Sequence, residues 1–145
     1  MLEKLINAKQ QDEVINIIET HFLTTLDANY AEVILNSKQD LIFDLNNEVA
    51  FFDLKNLIPF SVNKVYISLW MENEINHIVA IPITKSTVIK GQILLGFKTQ
   101  FVASKHINFQ LKTIASLLTL AIERINTEQK NQQHQQKILN FLFTK

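Results

Sequence analysis

Cysteine is absent from this chain, and glycine and proline occur only twice each. The absence of cysteine excludes disulfides, thiolate metal sites, cysteine nucleophiles and chromophores attached through a thioether. Two glycines are too few for a glycine-rich phosphate loop, a dinucleotide fingerprint or a nucleophile elbow. An excess of either charge is also missing, because 14 basic and 14 acidic residues balance to a formal net charge of zero. No global field therefore draws the chain to nucleic acid or to anionic lipid.

Long apolar runs are missing as well. No segment approaches the roughly 20 apolar residues that a membrane-spanning helix needs. The N-terminus lacks the apolar stretch and the cleavage site of a signal peptide. What is present is a chain of 145 residues, 47% of them hydrophobic, which has the composition of one globular domain. We expect a cytoplasmic protein, or the cytoplasmic part of a larger one.

Hydrophobic periodicity predicts helices at both ends of the chain and strands between them. An apolar stripe with helical spacing runs to about Leu26, and Asp12 is its predicted N-cap. Residues 46–63 fit neither period, and we expect irregular chain with short helical turns there. The order of elements favours an antiparallel sheet with helices packed on one face. Strands are predicted over 30–35, 41–45, 65–71, 75–83 and 88–98, with 75–83 as a central strand.

Ser104 to Lys145 reads as one long amphipathic helix with Ser104 as its N-cap. Apolar residues repeat at spacings of three and four as far as Ile125. A polar stretch, NTEQKNQQHQQK, then leads to the apolar sequence ILNFLF. We therefore divide the chain into a domain over residues 1–125 and a C-terminal helical extension, or connector, over 126–145.

Stepping by sevens along this helix predicts a weak two-stranded coiled coil. Apolar residues stand at both ends of the repeat, and glutamines occupy its middle. A domain that buries one half of a helix and sends the other outward is built to join something, so we expect a homodimer. The predicted dimer seam consists of Leu118, Ile122, Ile125 and Leu139.

Two consecutive segments carry a resemblance to a known family. His77–Lys98 reads HIVAIPITKSTVIKGQILLGFK, and His106–Ile125 reads HINFQLKTIASLLTLAIERI. They resemble the second half of a GAF domain, with an apolar strand ending in proline, a strand opening with glycine, and a helix like LxxIAxxLxxAIER. The matching places are occupied by Ala80, Pro82, Gly91, Leu94, Phe101, Ile114, Ala115, Ala121, Ile122, Glu123 and Arg124.

The resemblance spans roughly Val14 to Ile125, although the first half matches only in the order of its elements. The turn at Lys85–Thr87 departs from the family because it has no glycine. The resemblance implies an α+β fold of the GAF/PAS type, with an antiparallel sheet of about five or six strands and the N- and C-terminal helices packed on one face. It also implies a ligand pocket on the opposite face. GAF domains are generally sensory or dimerisation modules in signalling proteins.

Aromatic residues are concentrated in the region that closes the pocket in that family. Tyr66, Ser68 and Trp70 share one face of the predicted strand 65–71 and carry polar groups that a purely apolar core does not need. His77, at the start of the central strand, is the predicted polar partner and can bind an anionic ligand when protonated. Core packing and a half-exposed strand-end histidine are the alternative explanations. The predicted pocket residues are Phe52, Phe60, Tyr66, Ser68, Trp70 and His77.

No cluster in the sequence predicts catalysis. None of the four histidines has a second ligand at a metal-binding spacing, and Glu72 and Glu74 fall in a predicted turn. The cyclic-nucleotide branch of the GAF family carries an Asn-Lys-Phe-Asp cluster, which Asn63-Lys64-Val65-Tyr66 does not match. We therefore expect no enzyme activity, no metal and no cofactor.

The function that follows is a non-catalytic sensory or regulatory domain. It is expected to bind an unidentified small molecule and to signal through its terminal helices to an output domain or to a partner such as a histidine kinase. Neither nucleic acid nor membrane is an expected partner. The alternative is a structural module for dimerisation or protein interaction that binds no ligand.

Overall fold

A computed structural model of the chain describes residues 1–35, 48–57, 64–85 and 88–143. Helices stand at both ends of the described chain, and strands and two short helices lie between them. In chain order the elements are α1 (Leu2–Asn7), α2 (Gln11–Thr25), β1 (Tyr30–Leu35), β2 (Ala50–Asp53), α3 (Leu54–Leu57), α4 (Lys64–Glu72), β3 (His77–Lys85), β4 (Val88–Phe97) and α5 (Lys105–Phe143).

The strands form one antiparallel sheet in the order β1-β4-β3-β2. Within the described residues it has four strands, so the expectation of five or six is wrong for this part of the chain. The central position predicted for residues 75–83 is confirmed, because β3 pairs on both sides and is buried on both faces. β2 lies inside the segment expected to be irregular and was not predicted. The strand predicted over 41–45 lies outside the described residues.

The largest correction concerns residues 65–71, which form α4 instead of a strand. All the residues of Val65–Met71 except Ser68 are apolar or aromatic, so an alternating and a helical pattern fit this segment equally well. The pattern of buried and exposed side chains is that of a helix. Tyr66, Ile67 and Trp70 face the sheet, whereas Val65 and Met71 are exposed. A strand would have placed Val65, Ile67 and Met71 on a single face.

Helices cover both faces of the sheet, and each face has its own apolar core. On the face that we call the α5 face, helices α2 and α5 pack against inward-facing residues such as Val79 and Leu95. On the other, the α4 face, α3 and α4 pack against Ile78 and Leu94. Alternate residues of one strand point to opposite faces, which explains this division. The packing of the terminal helices on one face is confirmed.

The two predicted N-caps have different outcomes. Ser104 caps α5 as predicted, because the backbone N–H of Ile107 donates to its Oγ at 3.1 Å. The prediction for Asp12 is wrong, since α2 begins at Gln11 and its N-cap is Gln10. Asp12 instead lies in the first turn, where a negative charge interacts favourably with the helix dipole.

The N-terminal helix is tied to α5 by one arginine. Nη2 of Arg124 donates to the carbonyl oxygens of Leu5 at 2.9 Å and Ala8 at 2.7 Å. These carbonyls belong to the last turn of α1 and the residue after it, where backbone acceptors have no partner within the helix. Nη1 of the same guanidinium pairs with Glu128, one turn further along α5. Arg124 therefore joins α1 to α5 close to the point where α5 leaves the domain.

Candidate functional site

The candidate site lies on the α4 face, on strands β1 and β4. Ile34 is paired with Gln92, and Glu32 with Leu94. Glu32 and Gln92 are therefore diagonal neighbours on one face of the sheet. Leu94 belongs to the apolar core of the α4 face, which shows the side to which these residues point. Two polar side chains thus lie together on an otherwise apolar sheet surface.

Glu32 accepts hydrogen bonds from two tyrosines, one on its own strand and one on α4, and the second bond joins β1 to α4. Its Oε2 accepts a hydrogen bond from the hydroxyl of Tyr30, and its Oε1 accepts one from the hydroxyl of Tyr66 at 3.0 Å. Burial, followed by the hydrogen bond to Glu32, raises the pKa of Tyr30 well above its usual range. Tyr30 therefore stays protonated, and its hydroxyl remains a donor to the carboxylate.

Trp70 packs against both tyrosines. Its ring lies 6.3 Å from Tyr30 in an edge-to-face arrangement and 5.7 Å from Tyr66. These distances are in the range in which aromatic pairs stabilise one another beyond their buried area. The indole has an exposed fraction of 0%. The three rings and Glu32 thus form one group, which joins β1 to α4.

Gln92 is the most unusual side chain on this face. Its exposed fraction is 0%, yet neither its amide oxygen nor its amide nitrogen has a hydrogen-bond partner among the residues that the structure describes. Leaving a buried polar group unsatisfied costs about 1–3 kcal/mol. An amide needs both a donor and an acceptor opposite it. Within the described residues, the donor and the acceptor of the Gln92 amide are thus both unused.

The predicted pocket residues do not lie together in the structure. Phe52, Tyr66 and Trp70 do lie on the α4 face. Ser68 does not join them, because a helix, unlike a strand, places it on the exposed side of α4. Phe60 lies outside the described residues. His77 points to the α5 face, where its Nδ1 lies 2.7 Å from Oδ1 of Asp53.

Glu32 and Gln92 were not predicted as site residues. A signal was present in both cases. Gln92 is the one strongly polar residue in the buried run GQILLGF, and Glu32 interrupts the apolar strand YAEVIL. Without the register of the sheet, either residue is equally compatible with a solvent-facing position.

The predicted dimer seam is also divided. Leu118 and Ile125 have exposed fractions of 0% and 1% and belong to the chain's own core on the α5 face. Ile122 packs against the same core and is partly buried. Leu139, in the part of α5 beyond the domain, is 48% exposed. A dimer seam through Leu118 and Ile125 would require this core to open. Of the four predicted seam residues, Leu139 alone has a large exposed surface.

The described residues supply neither a metal-binding cluster nor a membrane-spanning helix. No group of three or more histidine, cysteine, aspartate or glutamate side chains in that part of the chain could hold a metal ion. None of its helices is long and apolar enough to cross a membrane.

Comparison with known proteins gives a fold but no close relative. No protein-family model matches the sequence, and no curated protein matches it. Several solved structures are similar. One is a domain of a protein assigned as a two-component sensor histidine kinase from Sinorhizobium meliloti 1021, with a TM-score of 0.69 and 13% identity over 87% of this chain and 99% of that one.

Two others come from photoreceptor proteins. The chromophore-binding domain of an unusual bacteriophytochrome from R. palustris gives a TM-score of 0.64 at 13% identity, over 88% of this chain and 59% of that one. The GAF domain of the cyanobacteriochrome TePixJ gives 0.60 at 9% identity, over 85% and 95%. The resemblance to GAF domains is thus confirmed for the fold: this chain has the GAF fold.

Proposed function

We propose that this chain is a sensory input domain of a signalling protein, which binds a small molecule on its α4 face and passes the binding event to α5. The observation that carries the proposal is the buried amide of Gln92, which has no hydrogen-bond partner in the part of the chain that the structure describes. The similarity to sensory domains of a histidine kinase and of photoreceptors supports the signalling context. Fold alone does not define function, so the side chains of this face must supply the recognition.

The proposed ligand is held without a covalent bond. One similar structure is a chromophore-binding domain, but this chain has no cysteine for a thioether linkage. The α4 face offers the amide of Gln92 as donor and acceptor, the carboxylate of Glu32, and the rings of Tyr66 and Trp70. A few polar groups among apolar and aromatic walls are typical of small-molecule sites. The mechanism needs no catalytic group.

Gln92→Met is expected to stabilise the ligand-free protein by about 1–3 kcal/mol, because it removes an unsatisfied buried amide and keeps nearly the same shape. Urea denaturation followed by circular dichroism measures this change. The same substitution is expected to abolish the thermal shift that a small-molecule binder produces in the wild-type protein. A gain in stability together with a loss of binding is the result expected for a recognition residue.

Gln110→Met is the matched control, because Gln110 is exposed on α5 and its replacement should change stability by less than about 0.5 kcal/mol. A Gln92→Met protein less stable than wild type would show that the amide is satisfied in solution. A binder that shifts the amide signals around Gln92 in the wild-type protein, and whose thermal shift is unchanged in Gln92→Met, would refute the assignment of this residue to ligand recognition.

We further propose that the signal leaves through α5 and that the protein is a homodimer. The part of α5 from Asn126 to Phe143 extends about 27 Å beyond the domain, and every residue in it is exposed. An unsupported helix of this length is marginal in water. Ile138, Leu139 and Leu142 have exposed fractions of 45%, 48% and 62%. Parallel pairing of two such extensions would cover these side chains.

Leu139→Glu combined with Leu142→Glu is expected to convert a dimer into a monomer at micromolar concentration, since it places charges in the apolar end of the proposed coiled coil. Sedimentation equilibrium of the full chain measures the change. Thr127→Glu adds a charge to the same extension, away from its apolar end, and should leave the dimer intact. A wild-type chain that sediments as a monomer under these conditions would exclude dimerisation through this segment.

Arg124 supports the proposed path of the signal. It holds the end of α1 against α5 immediately before the exposed extension begins. A small shift of α5 would therefore move α1 with it, which is the kind of helix displacement that switching proteins use. The output would be a downstream domain or a partner such as a histidine kinase, and the proposed location is the cytoplasm.

A structural module without a ligand is the second candidate function. The complete burial of Trp70, together with its packing against Tyr30 and Tyr66, favours it, because these rings fill space that a ligand would otherwise use. The Gln92→Met experiment separates the two functions. Only the sensory domain predicts that a binder exists and that its thermal shift is lost in this variant.

A further inference from the structure

A pocket of about 470 Å³ lies on the other side of the sheet from Gln92. It is bounded by β2 and by residues 100–103, which lead into α5. Phe51 of β2 is paired with Val79, a member of the core on the α5 face, so its ring points to that face. The volume falls in the range of small-molecule sites, roughly 300–1,000 Å³. Nothing in the function proposed above uses this pocket.

Two of the phenylalanines that line the pocket, Phe51 and Phe101, belong to a column of three stacked rings. Phe51 stacks on Phe101 with centroids 6.2 Å apart and an interplanar angle of 14°. Phe101 stacks in turn on Phe97, at 4.5 Å and 23°. Phe97 is buried, whereas Phe51 is 37% exposed, so the column ends in a ring that solvent can reach. Its open end offers an aromatic surface against which another planar ring can pack.

The polar group of the pocket is a histidine that is hydrogen-bonded to an aspartate. Nδ1 of His77 lies 2.7 Å from Oδ1 of Asp53, its cross-strand neighbour. A neutral imidazole that donates its Nδ1 proton to this carboxylate carries a lone pair on Nε2. In this neutral form Asp53 orients the ring and fixes the tautomer, and Nε2 is a hydrogen-bond acceptor. Such an acceptor selects ligands that bring a donor.

We infer that this pocket binds a planar aromatic molecule that carries a ring hydroxyl or a ring N–H. The aromatic ring of the ligand packs against Phe51 and Phe101, and its hydroxyl or N–H donates to Nε2 of His77. The segment on the far side, 100–103, runs directly into Ser104, the N-cap of α5. An occupant therefore touches the chain at the start of the helix that leaves the domain. This site is separate from the α4 face and does not depend on a ligand there.

Titration of the ¹⁵N-labelled full chain with phenol and with indole tests the inference. We expect both probes to shift the amide signals of the pocket residues, with dissociation constants of about 1 mM. Toluene, which has the ring but no donor, is expected to bind about 5–10-fold more weakly, the effect of one hydrogen bond. Benzoate tests whether an anion is preferred.

Two variants separate the aromatic wall from the acceptor. His77→Asn keeps a side-chain N–H near Asp53 but removes Nε2, so phenol should bind it about 5–10-fold more weakly while toluene binds as before. Phe51→Ala removes the exposed ring of the column and should weaken all the aromatic probes. Phe109→Ala is the matched control, because Phe109 is an exposed phenylalanine on α5 that does not line this pocket.

Several results would overturn the inference. One is the absence of amide shifts in the pocket at about 10 mM phenol or indole, a concentration well above the expected dissociation constant. Another is toluene or benzoate binding as tightly as phenol, since neither supplies a donor to Nε2. Unchanged phenol binding in His77→Asn would show that Nε2 takes no part. Shifts around Gln92, and none around Phe51, would place the probes on the α4 face.

Discussion

Gly91→Ala is expected to lower the free energy of unfolding by about 3 kcal/mol, at the upper end of the effect of overpacking. A Cβ at this position would lie 2.2 Å from the carbonyl oxygen of Ile34 on the neighbouring strand. The obstacle is backbone and cannot turn aside as a side chain does, so β1 and β4 must separate locally. Gly91 also lies beside the irregular register of β3 and β4 near Ile83 and Thr84, so the strand is already constrained there. Urea denaturation followed by circular dichroism measures the loss.

Gly96→Ala is the matched control on the same strand. Its Cβ would meet Cγ2 of Ile75 at 2.7 Å and Cβ of Tyr30 at 3.0 Å, and both are side-chain atoms. Side chains can shift at a moderate cost of about 1–2 kcal/mol, so this variant should be less destabilised than Gly91→Ala. Equal losses in the two variants, or a Gly91→Ala protein as stable as wild type, would contradict the close approach of β1 and β4.

Trp70→Ala is expected to lower the free energy of unfolding by about 3–5 kcal/mol, as is usual when a buried tryptophan is truncated. The indole is fully buried and packs against Tyr30 and Tyr66. Its loss leaves a cavity under α4 and removes one of the contacts between α4 and the sheet. Because Tyr66 reaches Glu32 from the same helix, the hydrogen bond between them should be weakened as well. Thermal and urea denaturation of the full chain measure the effect.

Met71→Ala supplies the comparison, since Met71 is exposed on the same helix and its replacement should change stability by less than about 0.5 kcal/mol. The pair also tests the secondary structure. In a strand with one buried face, residues 65, 67, 69 and 71 would be equivalent, whereas in α4 they are not. A loss below about 1 kcal/mol for Trp70→Ala, or an equal loss for Met71→Ala, would contradict the position of α4.

The failure to predict α4 has a physical cause. Periodicity distinguishes a helix from a strand only when polar residues interrupt the pattern, and in Val65–Met71 Ser68 alone does so. The β-branched and aromatic residues there favour a strand intrinsically, but such preferences are weak against tertiary packing. A helix buries the large side chain of Trp70 as well as a strand would. The packing of this side chain against Tyr30 of β1 therefore decided that the segment is helical. The predicted site lost Ser68 for this reason alone.

The positions of His77 and Gln92 could not be predicted from the sequence because they depend on parity within a strand. A shift of one residue in the register exchanges the two faces of a sheet. Both strands were predicted within two residues of their true bounds. Bounds of this accuracy establish that a strand exists. They do not establish which of its residues point to the α4 face and which to the α5 face. His77 was therefore grouped with the aromatic residues of α4, although it points to α5.

The long C-terminal helix and its N-cap at Ser104 follow from local pattern, because helical spacing and capping residues act within a few positions of one another. The GAF fold was predicted from the resemblance of His77–Lys98 and His106–Ile125 to that family. The absence of cysteine alone excluded a thioether-linked chromophore. Tertiary structure decided what those elements do with their side chains. It buried Leu118 and Ile125 in the domain, left Leu139 exposed, and enclosed the amide of Gln92 without a partner among the described residues. These outcomes depend on contacts between residues far apart in the chain, which sequence spacing does not encode.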